Sequence, residues 1–317
     1  MPPSAAWQEA IADKNAAVHS QRTDPAQSGL RKALSRASFG LIPAQTPRQA
    51  RMHELGEVIA LPLPEHHRVA VLGLKGGVGK TTTTVALGSV LASQRESRII
   101  AVDGNPDRGT LGDRVRRTTD KTVHDLYTDA ETISRYTQLR AYTSANSARL
   151  QILSSYTTGP ILKRYDAASY KVTADLLEQH FDLVVTDCGT GLLDPAMASI
   201  LDLADQVIIV LEPAVDASNS AMATLQWLHQ NGYAHLAAAS FAVVSGVQEH
   251  TRRALNLDQI IAQFEQYVRG VVQVPYDDHL AEGSVFDLDL LHARTRESYM
   301  DLAARVVGRL AEASGGR

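Results

Sequence analysis

The residues best placed to do chemistry lie in one stretch, Leu72-Gly73-Leu74-Lys75-Gly76-Gly77-Val78-Gly79-Lys80-Thr81-Thr82. Glycines at 76, 77 and 79 permit backbone conformations closed to other residues, so successive N–H groups can turn toward one anion. Lys80 would then reach the β- and γ-phosphates of a nucleotide, and the Thr81 hydroxyl would sit on Mg²⁺. The expected nucleotide contacts are Gly76, Gly77, Val78, Gly79, Lys80, Thr81 and Thr82. A phosphate loop needs a strand before it and a helix after it. Both are written here: an apolar run at 69–72 and a helical pattern at 83–92. That helix would add the positive end of its dipole. A chance Gly/Lys surface loop has no need of such a setting.

Two acids support this reading. Asp103 closes the apolar run 98–102, and Asp187 closes the run 181–186. Ligands of open α/β sheets bind outside the carboxyl ends of the strands. An acid at a strand end can also be a mere helix cap. Two in register behind a phosphate loop point instead to metal binding and catalysis. Asp187 would hold Mg²⁺ directly or through water. Lys75 carries a further inference. A second lysine beside the loop would repel Lys80 unless anionic charge lay between them.

The elements that must position these groups follow from periodicity. From residue 67 onward strand and helix alternate, which predicts an α/β fold: a mostly parallel twisted sheet with helices on both faces. Predicted strands span 68–74, 98–102, 150–153, 181–187, 206–211, 241–245 and 271–274. Predicted helices span 47–59, 80–93, 123–127, 133–136, 168–180, 217–229 and 295–313. Val172, Leu176 and Leu177 are expected to face inward on the 168–180 helix. Leu302, Val306, Val307 and Leu310 form the inner stripe of the last one. Residues 1–27 are polar and lack sustained periodicity, which suits a flexible extension. At 29–40 a short basic helix carries Leu30, Leu34 and Ala37 on one face and Arg31, Lys32 and Arg36 around the other. It reads as a docking helix, a contact for DNA or a membrane surface, or a helix packed on its own domain. Two regions are therefore expected, an N-terminal extension over 1–64 and a catalytic domain over 65–317.

The chain has 317 residues, 44% hydrophobic and 21% charged, with net charge −4, as expected of a globular protein with no global pull toward nucleic acid. Its one cysteine, Cys188, rules out a disulfide framework and fits a reducing cytoplasm. No apolar run is long enough to cross a bilayer.

The loop departs from the general phosphate-loop pattern, since Leu74 stands where the first glycine would fall and Lys75 follows it. Lys-Gly-Gly-x-Gly-Lys-Thr-Thr is the deviant form of the ParA/MinD class of P-loop ATPases, and the chain resembles that class over residues 68–307. The resemblance implies ATP and Mg²⁺ as cofactors and an ATP-dependent homodimer. Lys75 would reach the partner's nucleotide in trans, and Asp103 would position the attacking water. Catalytic roles thus fall to Lys75, Lys80 and Asp103, and metal binding to Thr81, Asp103 and Asp187. Base contacts would fall to Ser245, which stands where the class has Asn, and Pro275. Asp187-Cys188-Gly189-Thr190-Gly191 carries Gly and Thr where the class has prolines, implying a more flexible second switch. Three segments, 62–72, 103–111 and 283–290, are similar to MinD-like ATPases of actinobacterial type VII (ESX) secretion clusters. That similarity implies a protein partner in a secretion machine. Two other readings stay open: a ParA-like DNA- or cargo-positioning ATPase using Arg114, Arg116 and Arg117, and a nucleotide-bound scaffold that never hydrolyses. A related tyrosine kinase would need a C-terminal tyrosine cluster, which the chain does not carry.

Overall fold

The computed structural model describes residues 46–105, 109–155 and 166–315. The basic segment at 29–40 and residues 106–108 of the loop after Asp103 lie outside them. Elements run in the order α1 (Pro47–Ile59), β1 (His67–Leu72), α2 (Lys80–Gln94), β2 (Ile99–Gly104), α3 (Val123–Thr128), α4 (Tyr136–Leu139), β3 (Ser144–Ala145) and β4 (Gln151–Leu153). They continue with α5 (Ala167–Glu178), β5 (Leu183–Cys188), α6 (Pro195–Leu203), β6 (Gln206–Leu211), α7 (Val215–Gln230) and α8 (Ala234–Ala239). The last are β7 (Phe241–Val247), α9 (Glu249–Ala254), α10 (Leu257–Phe264), β8 (Gly270–Pro275), α11 (Asp278–Ala281) and α12 (Ala293–Gly315).

One eight-stranded sheet has the order β3-β4-β2-β5-β1-β6-β7-β8. Every described pairing is parallel except β3 with β4. Strand residues alternate between two faces, as the pleat requires. Val69 and Val71 of β1 join a core built with α1, α2 and α12. Ala70 and Leu72 join the opposite core, with α6, α7 and α8. A third cluster sets Ile100 and Val102 of β2 against Leu126, Leu139 and Leu177. Because β1 is central, α2 is sandwiched: every residue from Thr83 to Ala92 is buried. Four threonines in its first turns are poor helix formers alone, and burial overrides that preference.

The alternating pattern and the parallel sheet agree with the sequence reading. Three local expectations do not. Val172 is 40% exposed, and Tyr170, Thr173 and Ala174 join Leu176 and Leu177 inside. The wider inward face reflects the 3.6-residue period acting on polar positions that hydrophobicity alone overlooks. The helix expected at 133–136 begins instead at Tyr136, because the Gln138 carbonyl accepts the Arg135 N–H (3.0 Å) and holds the preceding residues extended. Helices α6, α8, α9, α10 and α11 and strand β3 were not foreseen.

Candidate nucleotide site

The loop from β1 to α2 meets the carboxyl ends of β2, β5 and β6 at the centre of the sheet. Gly79 serves as N-cap at φ +97°, a left-handed conformation that favours glycine, and makes no side-chain cap bond. The first-turn N–H groups of α2 thus lack a side-chain cap, and the dipole end of a buried helix faces the loop. A Cβ at Gly79 would stand 2.8 Å from the Ser245 Oγ, so the loop and the end of β7 can touch only through glycine.

Lys80 Nζ donates to the Lys75 carbonyl at 3.2 Å. Burial lowers its pKa, opposed by the Asp187 charge. The Thr81 hydroxyl donates to Asp187 Oδ2 at 2.6 Å and stands 3.2 Å from the Thr110 hydroxyl. Asp187 is 4% exposed, and its Oδ1 is buried with no hydrogen-bond partner among the described residues. A lone carboxylate oxygen in such a place is costly unless a cation meets it. Asp103 is its neighbour across the β2–β5 ladder. Burial pushes both carboxyls above the usual range, and for Asp187 the nearby Asp103 charge adds to the rise. Two crowded, desolvated acids beside a hydroxyl suit a divalent cation, so the residues present fit Mg²⁺.

Asp103 is fully buried, and its oxygens accept from the Asn105 N–H (3.1 Å) and the Leu111 N–H (3.4 Å). A Cβ at Gly109 would stand 1.7 Å from Asp103 Oδ2, so only glycine lets the loop wrap this carboxylate. Lys75 points away from Lys80's pocket: its ammonium pairs with Glu212 at the β6 end and with Asp216 at 2.9 Å in the first turn of α7.

A cavity of about 880 Å³ opens over the loop. Gly77, Val78, Gly79, Lys80, Thr81 and Thr82 line one side, and Ser245 and Pro275 the other. Lys75, Gly76, Asp103 and Asp187 are not among its lining residues. Asp187 is buried against the Thr81 hydroxyl, and Asp103 is fully buried. Residues the sequence reading missed also line it: Thr110, Glu212 and Gln248. The rule that found Asp103 and Asp187, an acid closing a strand, applies equally to Glu212. Asp277 is another such acid, its side chain fully buried. It accepts the His279 (3.1 Å) and His292 (2.8 Å) N–H groups and staples the wall of the cavity to β8. The three arginines at 114, 116 and 117 do not form a surface patch: Arg116 alone is fully exposed, and Arg114 lines the cavity.

Residues 66–232 match a family model described as "AAA domain" (AAA_31). The chain belongs to this family, and its fold is that of the ParA/MinD-like P-loop ATPases. It is 36% identical over 240 residues, 75% of its length, to the ESX-1 secretion-associated protein EspI of Mycobacterium tuberculosis H37Rv, and the match spans 36% of that longer protein. A ParA family ATPase from Chlorobium tepidum TLS superposes with TM-score 0.64 at 15% identity, over 75% of this chain and 98% of that one. The septum site-determining protein MinD from Pyrococcus horikoshii OT3, solved with Mg-ADP, gives 0.57 at 19% identity, over 76% and 96%.

Proposed function

We propose that this chain is a Mg-ATP-dependent switch ATPase that dimerises on ATP and serves a type VII secretion machine from the cytoplasm. The single observation that carries the nucleotide reading is the orphaned Asp187 Oδ1 beside the Thr81 hydroxyl, directly behind an uncapped helix N-terminus. Thr81 and Asp187 would hold Mg²⁺, and the loop N–H groups with Lys80 would hold the phosphates. Bound Mg²⁺ would supply neutralisation of the charge on the phosphates. Ser245 and Pro275 would flank the base. Asp103 would position water only after the Asn105 and Leu111 N–H groups release its carboxylate, which makes hydrolysis slow in the lone protomer.

Lys75 would act in trans after leaving Glu212 and Asp216, which neutralise it within its own protomer. Similarity to EspI supports the secretion setting. A second reading, a nucleotide-bound scaffold without turnover, is favoured by the same burial of Asp103. Solution mass with Mg-ATP, Mg-ADP and no nucleotide separates the two, measured on wild type, Lys75→Ala and Asp103→Ala. The switch requires an ATP-only dimer that Lys75→Ala loses and Asp103→Ala, if folded, retains. A mass indifferent to nucleotide in all three would sink it and leave the scaffold.

A further inference from the structure

Arg114 ends the 3₁₀ turn Leu111–Arg114, on the loop that begins at Asp103. Its main chain is fixed, since the Phe286 N–H donates to its carbonyl at 2.9 Å. Its guanidinium reaches the cavity over the phosphate loop, where a Cβ added at Gly283 would come within 3.5 Å of Nη1. Among the described residues it makes no ion pair and no hydrogen bond, although guanidinium carries five donors in a planar fork. Asp187 and Asp113 are close enough to be felt electrostatically, but neither forms an ion pair with it, and Asp187 is already bonded to Thr81. Burial lowers the pKa of Arg114, yet an arginine stays charged at any pH the protein meets. A half-buried guanidinium with no hydrogen-bond acceptor, opening on a cavity rimmed by Lys80, Thr81 and Thr110, leaves its donors for an anion that enters the cavity.

We propose that Arg114 is a phosphate ligand of the bound nucleotide, supplied from within the same protomer. This inference rests on the nucleotide reading above. The planar fork matches two phosphate oxygens at once, a geometry no lysine reproduces. Arg114 and the Asp103 carboxylate sit at opposite ends of one loop.

The test is calorimetric titration of the full chain with Mg-ATP, Mg-ADP and adenosine, on wild type, Arg114→Met and Arg114→Lys. Melting of each protein without nucleotide is measured alongside. Arg114→Met is expected to weaken ATP and ADP about ten- to a hundredfold and leave adenosine unchanged, with partial recovery in Arg114→Lys. Without nucleotide, Arg114→Met should melt at or above wild type, because it removes an unpaired charge. ATP and ADP affinities within twofold of wild type would overturn the proposal. So would a nucleotide-free melting point several degrees lower, which would make Arg114 a structural residue. If wild type binds neither ATP nor ADP, the nucleotide reading itself fails and takes this one with it.

Discussion

The two ends of the parallel sheet treat charge in opposite ways. At the amino end, acids and bases pair with one another, although Arg68 Nε and His180 Nε2 are buried without a hydrogen-bond partner among the described residues. Arg68 N–H donates to Asp205 at 2.9 Å, Arg98 N–H donates to Asp182 at 2.8 Å, and the Arg68 guanidinium and His66 converge on Glu178. Burial works to raise the Asp205 pKa, but His67 and Arg68 outweigh it and hold it below the usual range. At the carboxyl end, Asp187 keeps an unpartnered oxygen, Asp103 and Asp187 crowd each other, and Lys80 is desolvated. Helix dipoles and loop amides gather at this end, where ligands of open α/β sheets bind, and the carboxylate oxygen left without a partner lies here. The amino end belongs to stability and the carboxyl end to binding.

Substitutions at the two ends can break that contrast. The largest effect is expected for Lys80→Ala, which should weaken Mg-ATP on the order of a hundredfold by calorimetry while leaving the nucleotide-free melting point unchanged or raised. Equal loss of stability and affinity would erase the distinction. Glu178→Ala at the other end should do the reverse. It strands Arg68, whose side chain is 11% exposed, and Glu178 itself is 31% exposed, so the cost is discounted for screening. Destabilisation of about 1–3 kcal/mol in urea unfolding, with ATP affinity intact, is the expected result.

A pH series sharpens the contrast further. The Asp187 carboxyl has a raised pKa in the folded state, so the folded protein binds more protons than the unfolded chain between the two pKa values. Nucleotide-free wild type should therefore gain on the order of 1 kcal/mol as pH falls from about 7.5 to about 5, and Asp187→Asn should reduce that slope, with Asp103 carrying the remainder. Mg²⁺-dependent ATP binding should move the other way and strengthen as pH rises. A slope unchanged in Asp187→Asn would mean that the acid is not strained. The smallest effect on stability belongs to Glu212→Ala combined with Asp216→Ala. These acids pair with Lys75 at the surface, so melting should not change measurably. Light scattering should find the ATP-dependent dimer at severalfold lower ATP, because Lys75 starts free.

Local patterns made much of this legible. The loop at 75–82 is contiguous, and its glycines, lysine and threonine must act together wherever the chain folds. Asp187 was found because an apolar run ending in an acid can only place that acid at the rim of a sheet. Arg114 looked like one of three surface arginines, and nothing in its neighbours distinguishes a residue turned into a cavity from one turned to water. Glu212 was overlooked although the strand-end rule covers it, since its role depends on Lys75 arriving from 137 positions away. The burial of Asp103 depends on Gly109 and Leu111 folding back over it, a contact between residues that carry no periodic signal.

By itself the sequence determined the alternation of strand and helix, the phosphate loop and the acids behind it, because each is set by local sterics and a hydrophobic period of two or 3.6 residues. Only the tertiary structure decided which charges are left without partners. Lys75 is neutralised by Glu212 and Asp216, the Asp103 carboxylate accepts from the Asn105 and Leu111 N–H groups, Asp187 keeps a buried oxygen without a partner, and Arg114 lines the cavity. Pairing and desolvation are set by neighbours brought together across the sheet, and no stretch of chain contains that information.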